Sequence, residues 1–316
     1  MLNNIHNKRI AFLCDDNLPN YLDDPKRYDY LKGKHAVTGY YYWILRNFGL
    51  DNVSLVCPDD CLDDYDAVVF HYDNRNCIDT NKKYKTLQIV NDRPQMPGVD
   101  LYAACNLSVI NPILDKELIK SAGIGLKHFL SGKWIYIHHP MPLRCTRCKA
   151  SWPPKIFHYS GRASTLIDDI YDNSFVNHMK NKGVNLRFDF DNDHNSGDED
   201  VYFCVRKKTN YHSTQSNGNN VDTKLGQKTA GRLYQAWKMG TPLIITGSTA
   251  MAAIYKSEYD FLLADNIDQF EYQSLRLLND KELFNAMIDN GNKRKDEHNN
   301  AQIVKQFLEA FQILFK

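Results

Sequence analysis

The sequence predicts an α/β protein built from two doubly wound domains, residues 1–150 and 151–316. Three observations point there. Short apolar, β-branched runs bounded by Asp, Asn, Pro or Gly alternate with stretches of helical length, as buried parallel strands and their crossover helices do. The same alternation starts afresh at Lys155. Between the two series, the segment from Trp134 to Pro154 holds four of the eleven prolines, a composition that continues neither a helix nor a central strand.

In the first half, strands are expected at Arg9–Cys14, Val53–Cys57, Ala67–His71, Thr86–Val90 and Leu107–Ile110. A helix is expected over Val37–Phe48, stopped by Gly49. In the second half, a strand over Lys155–Ser160 leads into Gly161 and Arg162, then an amphipathic helix running to Lys182 and closed by Gly183. Further strands are expected at the run VNLRF and at Val201–Arg206. Residues 207–227 are rich in Asn, Ser and Thr and are expected to form a polar loop. A helix over Lys228–Met239, a strand over Leu243–Thr246, a short helix and the run Phe261–Ala264 follow. The closing helix carries Ile303, Phe307, Phe311 and Leu314 on one face, the stripe of a packed helix.

Composition narrows the function classes. Hydrophobic residues make up 43% and charged residues 24%, an ordinary globular balance, and a formal net charge of +1 supplies no field that would recruit nucleic acid or an acidic membrane. The opening MLNNIHNKRIAFLCDD turns acidic at Asp15 and Asp16 before it could form the apolar core of a signal peptide, and no apolar run reaches the length of a membrane span. A soluble, cytoplasmic protein with reduced thiols is therefore expected, several of its eight cysteines sitting inside strand-like runs as small hydrophobes.

Two motifs fail on spacing. The CxxC at Cys145–Cys148 has no second pair close enough in the predicted fold to complete a zinc site. Asp191, Asp193 and Asn195 begin like a calcium loop, but Ser196 stands where its glycine belongs and Tyr202 where its glutamate belongs. The P-loop, the dinucleotide fingerprint and the hydrolase nucleophile elbow are all absent from the sequence.

The most informative segment is QKTAGRLYQAWKMGTPLIIT, residues 227–246. Lys228 and Arg232 are four residues apart and project from one side of the start of a helix, where unpaired N–H groups already favour an anion. With Thr229 and Gly231 beside them they suit a diphosphate. The same spacing also fits a solvated basic edge.

This segment resembles the donor-binding signature of GT-B glycosyltransferases, a helix of the form K-x-x-x-[KR]-L-x-[EQ]-A-x-x-x-G-x-P before a buried strand. Lys228, Arg232, Leu233, Gln235, Ala236, Gly240 and Pro242 occupy its positions. Where many retaining members carry a Glu-x7-Glu pair, this chain has Gln227 and Gln235, so the resemblance leaves retaining or inverting chemistry open. Asn91–Pro94 with Pro97–Asp100, Phe157–Arg162, Asp200–Arg206, Lys256–Leu263 and Met287–Arg294 resemble further segments of the same family in the same order.

The resemblance implies two Rossmann-like domains facing each other across a cleft, an acceptor side at 1–150 and a nucleotide-sugar side at 151–316. It implies transfer of a sugar from a nucleoside-diphosphate donor to a hydroxyl acceptor in glycan synthesis, with no required metal or cofactor. Gly161, Arg162, Arg206, Lys228, Thr229 and Arg232 are the expected donor-binding residues, and Gln235 the expected ribose contact. Thr38 and Gly39 fit either a loop approaching the sugar or an N-cap and helix start. His71, Asp15 and Asp92, at strand ends, are the candidates for the base that deprotonates the acceptor. A silent nucleotide-sugar-binding protein and a nucleotide-sugar epimerase are the alternatives.

Overall fold

The computed structural model describes residues 5–14, 34–79, 81–91, 96–105, 133–140, 147–190, 197–206, 230–247 and 249–316. They form two compact units. The first takes the described residues up to Pro140 together with His298–Lys316, and the second takes those from Arg147 to Glu297. Among the described residues no helix is long and apolar enough to cross a membrane.

The first unit is built on a six-stranded sheet, parallel throughout: β1 (Ile10–Leu13), β2 (Val53–Val56), β3 (Ala67–His71), β4 (Lys85–Val90), β5 (Leu101–Ala104) and β6 (Trp134–Tyr136), in the order β2-β1-β3-β4-β5-β6. The inner strands are buried along almost their whole length because both sheet faces are covered. Alternation sends Ile10 and Phe12 to one face and Ala11 and Leu13 to the other. On the first face lie α1 (Lys34–Asn47) and the closing helix, here α7 (Asn300–Leu314). Phe307 packs edge-on against Tyr41 at 4.9 Å and against Phe12 at 5.8 Å.

That packing assigns the closing helix, expected with residues 151–316, to the first unit. The stripe Ile303, Phe307, Phe311 and Leu314 buries itself with Val69, Leu87 and Leu101, so the closing helix completes the core of the first unit instead of the second.

The second unit contains a five-stranded parallel sheet of β7 (Ile156–Gly161), β8 (Asn185–Phe190), β9 (Val201–Cys204), β10 (Leu243–Ile245) and β11 (Leu262–Leu263), in the order β11-β10-β9-β7-β8. The helix expected to run unbroken from Arg162 to Lys182 is instead two short 3-10 turns, Ala163–Thr165 and Asp168–Tyr171, and then α2 (Asn173–Asn181). Asp172 starts α2 anew, its carboxylate accepting the Ser174 N–H at 2.8 Å. Helix α3 (Gly231–Met239) ends on Gly240, whose φ of 76° is the left-handed stop read from the sequence. Helices α4 (Thr249–Ile254), α5 (Ile267–Asn279) and α6 (Lys281–Arg294) follow.

Two strands were not expected. β5 is short and half alanine, without a β-branched residue, and β6 is three residues inside the proline-rich stretch given to the interdomain connection. The strand expected at Leu107–Ile110, the polar loop at 207–227 and the residues at 228–229 lie outside the described residues.

Helices α3 and α6 pack closely because Gly291 has no side chain. A Cβ there would stand 2.9 Å from Cδ1 of the buried Trp237. Gly291→Ala is expected to destabilise the protein by about 1–3 kcal/mol, the usual cost of overpacking, read from urea unfolding.

Candidate functional site

Both sheets reverse their winding direction between two neighbouring strands, and in open α/β sheets ligands bind at the carboxyl ends of such a pair. In the second unit the pair is β7 and β9. β7 ends in Ser160 and Gly161, followed by Arg162; β9 ends in Cys204, followed by Val205 and Arg206. The expected residues Gly161, Arg162 and Arg206 are therefore gathered at one edge of the sheet by its topology.

Helix α3 delivers Arg232 to the same edge from its first turn. Its Nη1 donates to the Tyr202 hydroxyl at 2.6 Å, to the Gln235 Oε1 at 2.8 Å and, more weakly, to the Ser160 Oγ at 3.4 Å. The Tyr202 hydroxyl donates in turn to Gln235 Oε1 at 3.2 Å and lies 3.0 Å from Ser160 Oγ. Tyr202, Ser160 and Gln235 are all buried, so this is a closed polar network beneath the guanidinium. The other prong, Nη2, lies against Gly161. A Cβ at position 161 would come within 3.1 Å of it and within 3.0 Å of the Tyr159 hydroxyl. Gly161 also has φ of 139°, a conformation that side-chain-bearing residues rarely adopt.

Arg206 is fixed through its backbone, its N–H donating to Thr246 Oγ1 at 2.8 Å, while its Nε reaches Cys204 Sγ at 3.2 Å. The Cys204 sulfur holds this guanidinium above its ordinary pKa range, with burial and the charge of Arg232 opposing. Burial, and then Cys204, push the Tyr159 phenol up, while Arg232 and Arg206 pull it down. The two guanidinium groups thus act on the same small region, and both stay cationic. Arg162 is exposed, its carbonyl accepting from Tyr159 at 2.8 Å and from Thr165 at 2.9 Å. The edge can hold an anion with more than one negative charge.

Gln235, the expected ribose contact, has its carbonyl oxygen engaged within the protein by Arg232 and Tyr202, because the residue sits one helical turn behind Arg232 and faces the sheet. Lys228 and Thr229 lie outside the described residues.

Sequence reasoning passed over Ser160 and Tyr202. Their hydroxyls meet only because β9 lies beside β7, a pairing that no local signal announces.

In the first unit His71 is buried at the carboxyl end of β3, next to β1, the neighbour across which that sheet reverses. Asp15, Asp16 and Asp92 lie outside the described residues. Thr38 and Gly39 are neither a loop nor a cap. Helix α1 begins at Lys34, before both of them, since the nearest breaker upstream is Gly33 and not a residue beside Val37, and this places the pair in its second turn with both residues buried.

The later segments singled out in the sequence serve as support. Arg294 Nη1 donates to Asp260 at 2.6 Å, its Nη2 donates to the Ile254 carbonyl at 2.9 Å, and its guanidinium lies 4.7 Å from the centre of the Trp237 ring on α3. Cys148 Sγ donates to the buried Glu199 at 3.2 Å. Among the described residues no group of three or more His, Cys, Asp or Glu side chains is arranged to hold a metal ion.

No protein-family model and no curated protein sequence matches the chain. Solved structures do match in shape. Anabaena Alr3699/HepE in complex with UDP-glucose superposes with a TM-score of 0.55 at 10% identity, over 96% of this chain and 99% of that one. Sucrose-phosphate synthase from Thermosynechococcus elongatus gives 0.53 at 11% identity, over 89% and 78% of the two chains. The GtfA/B complex gives 0.52 at 10% identity, over 89% of this chain. The chain spans 61% of the GtfA/B chain, 57% of the pneumococcal O-GlcNAc transferase GtfA and 54% of TarM. Two parallel α/β sheets of six and five strands, matched to these structures, make this the GT-B fold.

Proposed function

We propose that this GT-B chain is a glycosyltransferase that moves a sugar from a nucleoside-diphosphate donor to a hydroxyl acceptor. The observation that carries the reading is the pair of arginines at the carboxyl edge of β7 and β9: Arg232, whose Nη2 lies against the side-chain-free Gly161, and Arg206, two residues past the end of β9. The HepE structure to which this chain is similar holds UDP-glucose, a ligand of the matching charge.

In this reading Arg232, Arg206 and Arg162 bind the diphosphate, joined by Lys228 and Thr229 ahead of α3. As the bond from the sugar to the diphosphate breaks, negative charge grows on the departing oxygen, and preplaced cations stabilise it without reorganising. That is the task a divalent metal performs elsewhere, so the proposed transfer is metal-independent. His71 is the proposed base for the acceptor hydroxyl, with Asp15 and Asp92 as the other candidates.

The test is calorimetric titration with UDP, GDP, ADP and dTDP, followed by assay of the corresponding sugar nucleotides with and without acceptors. Binding of at least one diphosphate and acceptor-dependent release of nucleotide are expected. Binding with no turnover over a wide acceptor panel would replace transfer by a silent binding role, and an epimerised donor formed without acceptor would replace it by epimerisation. Arg232→Ala should weaken the tightest diphosphate by roughly 10–100-fold, the loss of a hydrogen bond to a charged group worth about 1.5–3 kcal/mol. Unchanged affinity would place the phosphates elsewhere.

A further inference from the structure

We infer that Gln235 is a positioning residue that aims Arg232 at the phosphates while leaving its charge intact, and that its neutrality sets the preference of the site for a multiply charged ligand. The inference rests on the donor-site reading above.

The geometry ties down one side of the Arg232 guanidinium and thereby sets its plane. Nη1 is tied down by Tyr202, Gln235 and Ser160, whereas Nη2 is the atom that approaches Gly161 at the sheet edge. A planar guanidinium held at one nitrogen has its second nitrogen fixed in direction as well. The hydrogen-bond directions are set by chemistry. Arginine can only donate, so Gln235 must turn its carbonyl oxygen toward Nη1, and the same oxygen takes the Tyr202 proton. The Tyr202 oxygen is then the acceptor for Nη1.

An amide orients the cation through dipoles alone. A carboxylate at the same place would make equally good hydrogen bonds and would add a full negative charge 2.8 Å from Nη1, in a buried setting where screening is weak. Orientation and charge are therefore separable by a substitution that changes one atom of the side chain. Gln235→Glu keeps the shape and the acceptor, and cancels much of the field that Nη2 offers to an anion. Gln235→Met removes the acceptor and keeps the bulk, so Arg232 keeps its charge and loses its aim.

The experiment compares wild type, Gln235→Glu, Gln235→Met and Arg232→Ala. The probes are the tightest of UDP, GDP, ADP and dTDP, measured by calorimetry, and its uncharged nucleoside, measured by saturation-transfer NMR. For Gln235→Glu the expected result is a loss of about tenfold or more in diphosphate affinity with nucleoside affinity held within about twofold, the signature of a lost charge-assisted contact. Gln235→Met is expected to lose diphosphate affinity too, by a smaller factor. A merely structural role would lower both ligands together and leave their ratio unchanged, and that outcome overturns the inference. Full diphosphate affinity in Gln235→Glu, alongside weakened binding in Arg232→Ala, overturns it while the donor site stands. No effect of Arg232→Ala overturns the donor site and the inference with it. Should Gln235→Glu not fold, the ratio in Gln235→Met decides: an unchanged ratio rejects the positioning role.

Discussion

Replacing Arg294 by Ala is expected to destabilise the second unit by about 3–5 kcal/mol, the usual cost of breaking a buried ion pair from one side. The Arg294 side chain is 5% exposed and that of Asp260 is 0% exposed, so the carboxylate left behind would lie away from bulk water without its cation. Asp260 Oδ2 would keep the N–H groups of Lys256 and Ser257, but Oδ1 would keep only the Asn290 amide. The Ile254 carbonyl would also lose its donor, and the Trp237 ring its cation. Urea unfolding monitored by tryptophan fluorescence measures the effect. Arg294→Lys should recover part of it through charge, without the Ile254 bond. A change below about 1 kcal/mol in Arg294→Ala would mean that the pair is dispensable to the fold. Because Trp237 stands on the helix that carries Arg232, diphosphate affinity should fall in this variant as well.

Gly161→Ala should damage binding most for the least chemistry. The methyl group would enter a backbone conformation with φ of 139°, costing about 1–3 kcal/mol in strain. It would also stand 3.0 Å from the Tyr159 hydroxyl and 3.1 Å from Arg232 Nη2. The guanidinium, at the end of a long side chain, is the group that must yield, and yielding strains its hydrogen bonds to Tyr202 and Gln235 and takes it away from the ligand edge. Diphosphate affinity is expected to drop by roughly 10–100-fold, the same range as for Arg232→Ala, since the same charged contact is lost. Combining the two substitutions tests this directly: Gly161→Ala added to Arg232→Ala should weaken binding little further. Full additivity would show that Gly161 acts on the ligand by a separate route.

Much of the architecture was legible because it rests on local pattern. The apolar runs at Ile10–Leu13, Ala67–His71 and Val201–Cys204 declare buried parallel strands, and Gly240 with Pro242 marks the passage from α3 to β10. β5 was not legible, since Leu-Tyr-Ala-Ala becomes a strand only through its pairing with β4 and β6. The destination of α7 was hidden for the same kind of reason. Its stripe is visible, but nothing local says which sheet it covers.

In the candidate site, Gly161, Arg162, Arg206 and Arg232 could be named from turn, strand-end and helix-start signals. Tyr202 and Ser160 could not, because their meaning depends on β9 lying beside β7 with Tyr202 opposite His158. Gln235 was found by its spacing and given a role by likeness. Only the three-dimensional hydrogen bonds show that its carbonyl oxygen meets Arg232.

The seating of Phe307 and Phe311 against strands made between about 200 and 300 residues earlier bears on how the protein is born. While the ribosome works through the second half, the apolar face formed by Phe12, Val69 and Leu87 has only α1 as cover, because α7 has yet to be synthesised. The amino-terminal sheet must therefore finish after the carboxyl-terminal one, reversing the usual order of assembly during translation and leaving a sticky surface for chaperones to guard in the interval.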